Sequence, residues 1–182
     1  MPGVILIKFG MAFVARFSSK GEHTTPSQPE SSASLNISNT VFSILLLKKG
    51  NKVLGIDSMN NYYDVNLKKA RLNILKKYKD FSFIKTNLEK EKKIKNVFIK
   101  FKPDFVIHLA AQAGVRYSID KPRVYLKSNI EGTFNIIEAS YQVGVKHLIM
   151  ASSSSVYGAN KNIPFKEIDK TETQLSIYAA TK

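Results

Sequence analysis

From Lys52 onward, short apolar runs alternate with longer stretches in which apolar residues recur every three or four positions. That alternation is the pattern of a parallel sheet covered by helices. It predicts strands over Lys52–Asp57, Phe81–Thr86, Asp104–Leu109 and His147–Ser152. A helix is expected over Asn66–Lys79, with Leu67, Ala70, Ile74, Leu75 and Tyr78 on the buried face and lysines on the other. The same period runs through Ile94, Val97, Phe98 and Phe101 in Glu89–Lys102, which Pro103 ends. A long helix over Pro122–Val143 closes at Gly144. The fold class expected is α/β, a doubly wound parallel sheet, incomplete. A last helix begins near Ser176, only one turn before Lys182, and one turn has no cooperative stability of its own, so a truncated chain is expected.

The first 44 residues do not share this pattern. Ser18–Asn39 is rich in Ser, Thr, Pro, Asn and Glu, with Leu35 and Ile37 as its large apolar residues, and reads as a disordered or looped insert. Upstream, Ile5–Lys8 is a candidate strand. The domain organisation expected is an aberrant segment over 1–44 and a partial nucleotide-binding domain over 45–182.

Composition narrows the chemistry. A chain of 182 residues with 43% hydrophobic content can bury one sizeable core. It has no cysteine, which excludes disulfides, thiolate metal sites and thiol nucleophiles, and no metal site is expected. The apolar run Val41–Leu47 stops at Lys48 and Lys49, far short of the roughly 20 residues a spanning helix needs. Lys8 interrupts the N-terminal apolar run and no basic start precedes it, so a secretory signal is not expected. Net charge is +14, but of 28 basic residues only Arg16, Arg71, Arg116 and Arg123 are arginine. The lysines spread along helix faces, which predicts a solvated surface and neither nucleic acid nor membrane as partner. A cytoplasmic protein is expected.

Candidate chemistry gathers at the carboxyl ends of the strands, where open α/β sheets bind ligands. Asp57 ends its strand and can accept both hydroxyls of an adenosine ribose, or act as an ordinary turn residue. Tyr178 and Lys182 are four residues apart, a spacing that places an ammonium beside a phenol and favours its use as a general base. Tyr117 with Lys121 and Tyr157 with Lys161 repeat the spacing by chance. Only Tyr178 follows a strand that ends in hydroxyls, Ser152–Ser155. A hydroxyl there can hydrogen-bond a substrate oxygen that loses and regains its proton, or merely satisfy a loop backbone.

In order and spacing, VLGID (Val53–Asp57), HLAAQAGVRYS (His108–Ser118), SNIEGTFNIIEA (Ser128–Ala139), ASSSSVYG (Ala151–Gly158) and YAATK (Tyr178–Lys182) resemble the extended short-chain dehydrogenase/reductase family of NAD-dependent epimerases and dehydratases. Within it, NNYYDVNLKKARL (Asn60–Leu72) and AQAGVRYS (Ala111–Ser118) are similar to UDP-glucuronate 4-epimerases. The resemblance implies a Rossmann-like sheet, NAD as cofactor, a UDP-sugar substrate and a homodimer. It implies Ser153, Tyr178 and Lys182 as catalytic residues. Cofactor ligands would be Asp57, Asn87, Leu88, Leu109, Ala110, Ala111 and Asn129, with Tyr178 and Lys182. Substrate would meet Arg116, Tyr117, Ser118, Ser153, Ser154 and Tyr178. The family's 4,6-dehydratases carry Asp and Glu after the catalytic hydroxyl, where this chain has Ser154 and Ser155, and that favours epimerisation through transient oxidation at the sugar's C4.

The chain departs from the family at its start. A glycine-rich TGxxGxxG turn should follow the first strand, so that bare backbone meets the cofactor pyrophosphate. Here Phe9, Ala12 and Ala15 stand at those positions, and Asp57 lies 42 residues beyond Ala15 where roughly 20 are usual. Asn87 stands where relatives present Asp to the adenine. Without a phosphate turn or a C-terminal half, the chain is expected to have little or no epimerase activity. UDP-glucose or UDP-N-acetylglucosamine 4-epimerisation, a non-catalytic dinucleotide-binding remnant and a basic nucleic-acid binder stay open as alternatives.

Overall fold

The computed structural model describes residues 3–7 and 29–182. Five parallel strands form one sheet in the order β3-β2-β1-β4-β5, with β1 at Gly3–Ile7, β2 at Lys52–Asp57, β3 at Phe81–Lys85, β4 at Phe105–His108 and β5 at His147–Met150. This is the order of a dinucleotide-binding half-sheet, and it confirms the doubly wound class. Of the candidate strand over Ile5–Lys8, residues 5–7 lie in β1 at the centre of the sheet, in register with both β2 and β4, and Lys8 lies outside the described residues.

Alternation along the strands divides the core between two faces. Leu54, Ile56 and Val106 point to one side, where they pack with Ile94, Val97 and Phe98 of α3 (Glu91–Phe101) and Ile136 and Ala139 of α6 (Gly132–Val143). Val53 points to the other and packs with Leu47 of α1 (Pro29–Lys48) and Leu75 of α2 (Val65–Leu75). Residues 53–57 of β2 are buried without a break, as a strand covered on both faces must be.

The long helix expected over 122–143 is continuous but not uniform. It opens as α5 (Pro122–Tyr125), widens into a π turn over Leu126–Glu131, and resumes as α6 before Gly144 ends it in the left-handed region. A short α4 (Val115–Asp120), which no apolar period announces, precedes it. The chain ends in α7 (Ile177–Ala180), packed against α4.

One expectation needs correction. Helix α2 is rotated from that expectation: Leu75 is buried and Tyr78 packs beside it as expected, but Lys68, Arg71 and Leu72 are buried where Leu67 and Ile74 are 43% and 45% exposed. On that inward side Leu72 and Leu75 are buried, and the Lys68 ammonium reaches the carboxylate that ends β2. The expected insert over 18–39 lies outside the described residues as far as 28, and from Pro29 the backbone is helical, so the boundary placed at 44/45 falls inside α1. Phe9, Ala12 and Ala15 also lie outside the described residues.

Candidate functional site

The end of β2 is built around a buried carboxylate. Asp57, 5% exposed, accepts a hydrogen bond from the amide of Met59, which the turn places in the left-handed region at φ 54°. The Lys68 ammonium lies 3.7 Å from Asp57 Oδ1 and donates to the carbonyl and side-chain oxygens of Asn60 at 3.0 and 3.1 Å. Pairing and hydrogen bonding of this kind are what make a buried charge tolerable. The same loop then caps α2, with Asp64 Oδ1 accepting from Asn66 N at 2.8 Å.

Beside it, the β3 end supplies Thr86, Asn87 and Leu88. The Asn87 amide donates to Glu89 Oε1 at 2.9 Å. Leu88 is held from behind by α6: its carbonyl accepts from Asn135 Nδ2 at 2.8 Å, and Gly132 lies so near that a Cβ there would stand 2.8 Å from Leu88 Cβ. Asp57, Asn87, Leu88, Ala110 and Ala111 all line one cleft of about 290 Å³, together with Tyr62, which the sequence did not single out.

Beyond β4, the chain runs through Leu109, Ala110 and Ala111 to Gln112, whose peptide is gripped from the π turn. Asn129 Oδ1 accepts from Gln112 N at 2.6 Å, and Asn129 Nδ2 donates to Gln112 O at 3.0 Å and to Thr181 Oγ1 at 2.9 Å. Thr181 in turn donates to Tyr178 O at 3.0 Å. A π turn at this place is consistent with the tendency of such turns to mark functional sites; here it carries the side chain that ties the cleft wall to α7.

Tyrosines fill the space between these elements. Tyr62 lies 5.2 Å from Tyr117, Tyr117 lies 6.3 Å from Tyr125, and Tyr125 meets Tyr178 edge-on at 6.1 Å between ring centroids. Burial, reinforced by Tyr62 and Tyr178, pushes the Tyr63 phenol up to about 12. Burial and the neighbouring Tyr117 raise Tyr62, against a hydrogen bond from Gln112 that lowers it, and Tyr125 is raised further, again mainly by burial. These phenols therefore remain hydrogen-bond donors at neutral pH. Tyr125 donates to the carbonyls of Ala113 and Gly114 at 2.7 and 2.6 Å.

The end of β5 is more open. Ser153 caps a 3-10 turn over Ser154–Tyr157; its Oγ accepts from Ser155 N at 3.2 Å and lies 3.3 Å from Ser155 Oγ, while Ser154 is exposed. Ser176 caps α7 by accepting from Ala179 N at 3.0 Å, which presents Tyr178, 9% exposed, in the first turn. Helix α7 ends before Lys182, whose ammonium donates to the Ala151 carbonyl at 2.6 Å and is lowered in pKa by burial. Lys182 is thus tied to the β5 end that carries the serines. In α4, Arg116 is exposed, Tyr117 joins the tyrosine cluster, and Ser118 is fully buried with its hydroxyl donating to Val115 O at 2.6 Å.

The sequence-derived residues therefore fall into two groups on one sheet edge. Asp57, Asn87, Leu88, Ala110 and Ala111 share the cleft, with Leu109 at its β4 root; Ser153, Tyr178 and Lys182 gather at β5 and α7; Asn129 joins the two. Reading the sequence missed Lys68, Gln112, Tyr125 and Thr181. The one signal for Lys68 was its position 11 residues after Asp57 on a helix returning to the same strand end. Among the described residues no group of three His, Cys, Asp or Glu side chains converges as a metal site, and no helix is long and apolar enough to cross a membrane.

Comparison with known proteins adds to this geometry. The family described as GDP-mannose 4,6 dehydratase matches residues 40–182. A protein named CapI from Staphylococcus aureus is 50% identical over 137 residues, covering 75% of this chain and 41% of that protein. A UDP-glucuronate 4-epimerase from Thermodesulfobacterium geofontis is 49% identical over 137 residues, covering 75% of this chain and 42% of its own length. The chain thus spans about two fifths of the length of these curated relatives. Among solved structures, a UDP-glucose/N-acetylglucosamine 4-epimerase from Campylobacter jejuni superposes on 100% of this chain and 46% of its own, with a TM-score of 0.76 at 19% identity, a likeness of fold. A UDP-glucose 4-epimerase from Bifidobacterium longum, solved with NAD+ and UDP, covers 98% of this chain and 45% of its own at a TM-score of 0.71 and 25% identity.

Proposed function

Since the chain belongs to the family described as GDP-mannose 4,6 dehydratase, within the NAD-dependent epimerases and dehydratases of the extended short-chain dehydrogenase/reductases, we propose that it forms the nucleotide-binding part of a UDP-glucuronate 4-epimerase. The observation that carries epimerisation over dehydration is the pair Ser154 and Ser155. Where a dehydratase needs a carboxyl acid and base to remove water, Ser154 is exposed and Ser155 is occupied with Ser153. The choice of UDP-glucuronate is supported by the relatives that carry that name at 42–49% identity.

The residues present fit NAD. Asp57 is a buried carboxylate at a strand end beside a cleft, suited to a ribose diol and hostile to a 2′-phosphate. Asn87 and Leu88 form the adjacent wall for the adenine, and Ala110 and Ala111 keep the opposite wall low enough for a dinucleotide to lie against it. When bound, NAD supplies reversible hydride acceptance from the sugar's C4. Tyr178 takes the proton of the C4 hydroxyl and returns it, Ser153 hydrogen-bonds the same oxygen, and Lys182 places positive charge beside them. The sugar turns over as a 4-keto species between the two transfers, so no external reductant is consumed. Arg116 and Tyr117 face the sugar from α4.

A homodimer is part of this reading. Ile130, Phe134 and Tyr141, at four- and seven-residue spacing on the helix that ends in α6, are 51%, 61% and 87% exposed and form an apolar stripe that a second copy would cover.

The test is a chain exchange. Residues 40–182 replace the matching segment of the Thermodesulfobacterium geofontis enzyme, and conversion of UDP-glucuronate to UDP-galacturonate is followed by chromatography. Turnover is expected, with Tyr178→Phe lowering it about 10²–10⁴-fold. A fold-competent exchange whose rate equals its Tyr178→Phe variant, or which turns over only UDP-glucose, rejects the proposal.

A further inference from the structure

The loop between β2 and α2 is anchored at both ends. Its start is tied by Met59 to Asp57 and by Asn60 to Lys68; its finish is tied by the Asp64 cap. Its middle reaches outward: the Tyr62 hydroxyl donates to the carbonyl of Ala113, 51 residues away in the chain, at 3.1 Å. The receiving loop is shaped for this approach. Gly114 has φ 102°, and a Cβ there would stand 3.0 Å from the Tyr62 oxygen, so a side chain at 114 would crowd the phenol and strain the backbone. Tyr125 donates to the same Ala113 carbonyl at 2.7 Å, so this acceptor is held by a second phenol.

Topology gives the contact its meaning. β2 and β4 are the two neighbours of β1. A bond between the loop after β2 and the loop after β4 therefore passes across the carboxyl end of β1. A ligand with its ribose at Asp57 and its far end at Tyr178 and Lys182 must cross the same line, because the first lies on the β2 side and the second beyond β4.

We infer that Tyr62 is a clasp over the dinucleotide: its hydroxyl joins the ribose loop to the loop that carries Arg116 and Tyr117, and so slows cofactor release. The inference rests on the nucleotide reading of the cleft and adds to it a residue that positions the two walls. Such a clasp suits an enzyme that reuses one cofactor without exchanging it.

The experiment uses the full chain and Tyr62→Phe, which keeps the ring and its packing against Tyr63 and Tyr117 while removing the donor. Hydrogen–deuterium exchange is expected to rise in 58–64 and 110–118 and to stay unchanged in 94–101. Stopped-flow release of NAD is expected to accelerate about three- to tenfold, the range for one net hydrogen bond. Unchanged protection of both loops, or equal release rates from wild type and variant, overturns the clasp while leaving the cleft assignment intact. If the wild-type chain takes up no NAD at all, the nucleotide reading falls and the clasp falls with it.

Discussion

The proposed cofactor side of the sheet edge, at β2 and β4, and the proposed catalytic side, at β5 and α7, are held in place by different means. Around β2 and β4, Val53, Ile56 and Val106 are fully buried, helices cover both faces, and side chains such as Phe98 leave the strand ends little room to move. At β5, Ile149 and Met150 are 48% and 47% exposed, and α7 is four residues long. The groups proposed as catalytic there are positioned by individual hydrogen bonds: Lys182 to Ala151, the Ser176 cap, and Asn129 to Thr181. Under the proposed function, packing would fix the place where a dinucleotide lies, whereas a handful of polar contacts would fix the groups proposed to act on it. Positional errors of a fraction of an ångström at Tyr178 are therefore easier to introduce than errors at Asp57.

The comparison can be broken most forcefully from the core. Phe98→Ala empties a fully buried site and is expected to cost the whole domain about 3–5 kcal/mol in urea denaturation. Ile149→Ala at the half-exposed edge should cost less than about 1 kcal/mol by the same measurement. Similar losses for the two would mean that β5 is as firmly packed as the interior.

A smaller effect is expected at the join. Asn129→Ala removes the partner of the Gln112 backbone N–H and C=O and one of the two partners of Thr181 Oγ1, and leaving buried backbone groups unpaired costs about 1–3 kcal/mol. Its mark should be regional: faster exchange of 176–182 and 110–113, with 53–57 still protected. A uniform loss of protection would make Asn129 an ordinary core residue and dissolve the distinction between the two regions.

The fold was legible wherever burial imposes a period. Strand positions followed from apolar runs, Asp57 from its place at the end of one, and α3 from Ile94, Val97 and Phe98. Residues whose roles depend on distant partners were not legible. Lys68 counts as a solvated lysine until the fold brings Asp57 against it, and Leu67 and Ile74 look like core although the fold leaves them exposed. Nothing local in AGVRYS marks α4, since its buried Ser118 satisfies its own turn and its apolar Val115 and Ile119 face outward at 45% and 71% exposure. Tyr125 lies outside the quoted motifs, and Tyr62 and Thr181 lie inside two of them without a role of their own; all three are recognised by what they reach.

The claim that the cleft between Asp57 and Ala111 is built for NAD is tested by titrating the chain with NAD and with NADP, followed by tyrosine fluorescence, which its eight tyrosines and absence of tryptophan allow. NAD is expected to bind at least about tenfold more tightly than NADP, a difference of roughly 1.4 kcal/mol, and Asp57→Ala to erase most of that preference. Equal affinity for the two in the wild-type chain, or a preference that survives Asp57→Ala, would contradict the claim.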